Sequence, residues 1–109
     1  MTDTDLILDI LSKNDYLEAP IFERGRSPYY PIVIDQADGY VKAERLVAKF
    51  LLFPLNNQLK SQSLLCVDGR YVDCLVFETV DKKGNINEES FYFDISTSYN
   101  AIKNRNQYQ

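Results

Sequence analysis

A chain of 109 residues, 45% hydrophobic and 26% charged, is long enough for one folded core and is balanced as globular domains are. Its net charge is −4, with residues 1–35 and 61–98 each carrying seven acids against three bases. That distribution leaves no basic stripe for general nucleic-acid or anionic-membrane binding. The complete absence of histidine removes most hydrolytic triads, the commonest metal ligand and the usual general base near neutral pH.

The first predicted element is a short helix. Leu6, Ile7, Ile10 and Leu11 form its apolar stripe, Thr2 or Thr4 caps it, and Lys13 and Asn14 close it. Residues 1–9 hold three acids and no basic segment, unlike a signal peptide, and the wholly apolar run 50–53 is too short to cross a bilayer. A cytoplasmic chain is expected. Periodicity is lost over 14–28, apart from a short extended piece at 19–23. Residues 29–35 read as a strand with Tyr30, Ile32 and Ile34 on one face and Pro31 marking an edge or a strand start.

Across 40–53, Lys42, Arg45 and Lys49 fall on one side of a helical wheel, opposite Ala43, Leu46, Val47, Phe50 and Leu51. This predicts a helix ended by Pro54. A rival reading pairs 40–44 back on 31–35 as a hairpin. Residues 56–63 read as polar connection. Then 64–67, the turn Asp68-Gly69 and 71–80 make a tight hairpin. A second hairpin joins 71–80 to 86–96, where Phe91, Phe93 and Ile95 alternate with Ser90, Tyr92 and Asp94. Beyond Tyr99 the tail is polar, a short helix at most.

These elements predict a single α+β domain, two helices packed on one face of a 4–5-stranded, mainly antiparallel sheet. Their order resembles small helix-plus-curved-sheet folds of the cystatin-like or nuclear-transport-factor-like type.

Cys66 and Cys74 fit neither a redox pair nor a zinc site, and with no imidazole or helix N-terminus beside them they are expected to be free, partly buried core residues. Asp81–Glu89 is oxygen-rich, but Gly84 stands fourth rather than sixth and Tyr92 takes the twelfth position where a calcium loop needs glutamate, so a hairpin turn is expected. The remaining acid–base candidates are carboxylates: Asp73 and Asp94 across the sheet, with Glu78 or Glu88 beside them. They read as solvated strand acids.

Two stretches suit recognition instead. The loop from Arg24 to Pro31 gathers Arg24, Arg26, Tyr29 and Tyr30, the residue types that dominate interface hot spots. The wet face of the last strand offers Glu88, Tyr92 and Asp94. The leading expectation is a non-enzymatic acidic binding protein of inhibitor, immunity or adaptor type, docking on a protein with a basic surface. It needs no cofactor, metal or membrane. Two alternatives remain: a small-ligand pocket holding Tyr71, Phe77 and a carboxylate, and a homo-oligomer joined through a sheet edge or the 50–55 run.

Overall fold

A computed structural model describes residues 2–14, 25–36 and 39–106. The expected extended piece at 19–23 lies outside the described residues. The elements run α1 (Asp3–Lys13), β1 (Ile32–Val33), α2 (Tyr40–Leu52), β2 (Asn56–Val67), β3 (Arg70–Val80), β4 (Ile86–Asp94) and α3 (Ser96–Asn106). The strands form one mixed sheet in the order β1-β4-β3-β2. The two hairpin ladders are antiparallel, and β1 joins β4 in parallel.

Helix α1 begins as the sequence predicts. The Thr2 hydroxyl accepts the Asp5 N–H at 3.1 Å while the Asp5 carboxylate accepts the Thr2 N–H at 3.2 Å, a reciprocal capping box. Asn14 closes the helix and is fully buried. Its side-chain amide donates to the Val33 carbonyl at 3.1 Å, and its Oδ1 accepts the Val33 N–H at 2.8 Å. The amide stands in for a neighbouring strand and fastens α1 to β1.

Strand β1 is far shorter than the 29–35 expected. Tyr30 N–H bonds back to the Ser27 carbonyl at 3.1 Å in a turn, and Pro31 has no N–H to give, so extension starts only at Ile32. Ile32 and Ile34 are fully buried as predicted, whereas Tyr30 is 70% exposed. Residues 40–44 belong to α2, which removes the rival hairpin.

The largest correction is at 56–63, which is strand rather than connection. A bulge between Leu59 and Ser61 leaves Lys60 without a partner residue. It shifts the alternation, so the helix-side positions are 57 and 59 before it and 62, 64 and 66 after it. That phase slip hides the two-residue period. At the other end, α3 starts at Ser96, inside the strand expected to run to that residue, because the Asp94 carboxylate accepts the Ser96 N–H at 3.0 Å.

The turn at Asp68-Gly69 is as predicted, with φ of 51° and 75° closing β2 on β3 at the pair Val67 and Arg70. Asp81 holds the next turn by accepting the N–H groups of Lys83 and Asn85 at 2.8 and 2.9 Å. Leu75, Phe77, Phe91 and Phe93 on one sheet face join Ile10 and Leu11 of α1 and Ala43, Val47, Ala48, Leu51 and Leu52 of α2 in a single core. No helix among the described residues is long and apolar enough to cross a membrane.

Candidate functional site

The loop anticipated from Arg24 to Pro31 splits between frame and surface. Arg24 lies outside the described residues. Arg26 is a clamp: its Nη1 donates to Glu89 Oε2 at 2.8 Å and to the Ser90 carbonyl at 3.2 Å. Its guanidinium lies 4.2 Å from the centre of the Phe91 ring. Just before it, the Gly25 carbonyl accepts the Tyr92 N–H at 2.6 Å. Arg70 then secures the far side of the turn, donating to the Tyr29 carbonyl at 3.3 Å. Between these fixed points Tyr29 and Tyr30 stand out, 62% and 70% exposed. Two large aromatic side chains are therefore carried on a turn whose backbone is tied to β3 and β4.

The acidic strand face is brought only partly to this turn. Pairing sets Val72 opposite Asp94, Cys74 opposite Tyr92 and Glu78 opposite Glu88 on the outer sheet face. Asp94 lies near Tyr29 through Arg70, whose Nη1 is 3.8 Å from Asp94 Oδ2. It is only 8% exposed and is engaged in starting α3. Tyr92 is half-buried, and burial with the neighbouring Cys74 thiol raises its hydroxyl above the usual tyrosine range. Glu88 is exposed at the other end of β4 and is paired with Lys60. Six residue steps along the strand separate it from Asp94, about 20 Å. The outer face is thus wet around Glu88 and buried at Val72, Cys74 and Asp94, and of these only Asp94 was expected in solvent.

The carboxylate pair drawn from the sequence does not form. Asp94 pairs opposite Val72 on the outer face, while Asp73 pairs opposite Phe93 and points to the helix side. Asp73, 5% exposed, instead sits with Glu44 of α2, which is fully buried. Gln62 of β2 donates to Asp73 Oδ2 at 2.8 Å. Neither Glu44 oxygen has a hydrogen-bond partner. Burial above all, then the Asp73 carboxyl, pushes the Glu44 pKa up to about 10, so it is neutral at physiological pH. Tyr40, one helical turn earlier, is also raised, by its own burial and by the same two acids.

The burial of each acid, though not their meeting, was legible in principle. Glu44 stands four residues before Ala48 and seven before Leu51, on the helix's buried stripe, and Asp73 alternates with Tyr71, Leu75 and Phe77. The pair is closed to solvent. Tyr71 stacks on Tyr99 with ring centres 4.2 Å apart, and Phe77 meets Phe91 edge-on at 6.1 Å within the core. Two open grooves among the described residues lie elsewhere. One, about 550 Å³, runs along α2 past Gly39, Val41, Lys42, Arg45, Leu46 and Lys49; the other, about 250 Å³, is lined by Gln58, Leu59, Lys60 and Glu78.

Cys66 is exposed and Cys74 buried, and both are free. Among the described residues no group of three or more cysteine or acidic side chains is placed to hold a metal ion. The chain matches no protein-family profile, no curated protein and no solved structure.

Proposed function

We propose that this chain is a non-catalytic binding protein whose Tyr29–Tyr30 turn is the centre of a protein-docking surface. The observation behind the reading is the exposure of two adjacent tyrosines on a turn held at both ends. Ordering a flexible loop on binding costs affinity, and a turn already fixed avoids most of that cost. Tyrosine contributes large contact area and a hydroxyl while giving up few rotamers. The net charge of −4 favours a basic partner, since long-range attraction raises the association rate. Glu88, at the open end of the outer face, contributes to that field; Asp94 contributes through its hold on Arg70 and α3 rather than by direct contact. The buried acids Glu44 and Asp73 are enclosed by side chains, which supports a role in the fold and not in turnover.

Tagged wild-type protein and a Tyr29→Ala/Tyr30→Ala variant test the reading by affinity capture from the source cell with quantitative mass spectrometry. A basic protein held by the wild type should be lost by at least about tenfold in the variant, as for a truncated hot spot. Equal capture by both proteins would remove the turn from the interface.

A further inference from the structure

We infer that the outer edge of β2 is a self-pairing surface, so that two copies of this chain join antiparallel with Leu64 on the two-fold axis and continue one sheet across the dimer. Among the described residues β2 ends the sheet, and its neighbour on the inner side is β3. The direction of its backbone groups follows from the hairpin. A two-residue turn makes Val67 and Arg70 a hydrogen-bonded pair, so Leu65 and Ser63 also bond inward to β3. The N–H and C=O of Gln62, Leu64 and Cys66 therefore point away from the sheet. Tyr71, the partner of Cys66, agrees: its carbonyl accepts the Ile95 N–H and its N–H donates to the Ser96 hydroxyl, both on the β4 side.

Edges of this kind are ordinarily blunted by charge, proline or a bulge. β2 has its bulge and its single charge together at Lys60. Residues 61–67, Ser-Gln-Ser-Leu-Leu-Cys-Val, carry no charge, no proline and no irregularity. The helices do not shield them: Leu64 is 45% exposed on the helix side, and Cys66 is exposed beside it.

The register follows from which groups face outward. With Leu64 opposite Leu64 of the second copy, Gln62 falls opposite Cys66 and Cys66 opposite Gln62, so all three outward residues exchange their hydrogen bonds. Moving the axis to Gln62 would carry the bulge at Lys60 into the ladder and break it. In the Leu64 register, Lys60 of one copy comes near Asp68 of the other, and the charges flanking the neutral segment attract. The two exposed leucines meet on the axis, and Ser63 faces Leu65 on the other side of the sheet. A dimer of short strands like this is small and weak, so it should depend on concentration.

Light scattering over about a hundredfold range of concentration should move the mass from the 12.6 kDa monomer toward twice that value. Leu64→Lys should raise the midpoint by at least about tenfold. The register is tested by oxidation. Opposed residues in a hydrogen-bonded pair lie within disulfide reach, whereas residues one pair off do not. Leu64→Cys in a Cys66→Ser background should form a disulfide dimer, and Ser63→Cys in the same background should not. Circular dichroism checks that each variant stays folded. A folded Leu64→Cys protein that remains monomeric on oxidation, a wild type that stays monomeric at every concentration, or a dimer untouched by Leu64→Lys would each overturn the inference.

Discussion

Glu44 is a buried carboxyl on the hydrophobic stripe of α2, fully out of water with no donor for either oxygen. It keeps its proton to about pH 10 in the folded chain and releases it near the ordinary 4.5 when unfolded. The folded state therefore binds more protons through this window, and stability falls as pH rises from about 4.5 toward 10. Glu44→Gln cannot lose a proton, so its stability relative to wild type should climb with pH by about 1 kcal/mol per unit. Urea midpoints measured at several pH values above neutrality check this; a difference that stays flat would show that Glu44 does not hold its proton. Gly25 offers a second test. Its φ is 73°, and a Cβ there would lie 2.9 Å from Ile32 Cδ1 and 3.2 Å from the Tyr92 carbonyl. Gly69 has a similar φ but open space around it. Gly69→Ala should cost only the backbone strain of about 1–2 kcal/mol, and Gly25→Ala clearly more. Thermal melts of the two variants give the order directly.

Among the elements, the best and worst expectations differ for a physical reason. α1, α2 and β3 bury a repeating apolar pattern, and repetition is what a sequence displays. β2 does not, because it is an edge strand whose alternation slips at Lys60. α3 has a polar sequence with no apolar period to display it; Asp94, two residues ahead, accepts the Ser96 N–H at its start, and Ser98 is bonded to the Gln36 carbonyl 62 positions away. The contact between α1 and β1 likewise depends on one side chain. Asn14→Ala leaves the Val33 N–H and carbonyl without their partner and should destabilise the chain by about 2–3 kcal/mol. Denaturant unfolding measures it, and a loss below about 0.5 kcal/mol would mean that Asn14 is not what fastens the helix.

For the whole molecule, burial distinguishes two thiols that look alike in the chain. Cys66 lies on the β2 edge and Cys74 in the central strand. A thiol reagent should modify Cys66 within the mixing time and Cys74 only at the rate of sheet opening, which mass spectrometry resolves. Comparable rates for both would contradict the burial of β3. The amino-acid pattern was sufficient for the two main helices, both hairpin turns and the alternation of Phe91, Phe93 and Ile95, because each is written in residues a few positions apart. Folding alone placed Asp73 against Glu44 rather than Asp94, tied Arg26 to Glu89 and left Tyr29 and Tyr30 in solvent. Those outcomes join residues up to 63 positions apart, and which side chains meet across such a distance depends on strand order and register, to which local periodicity carries no information.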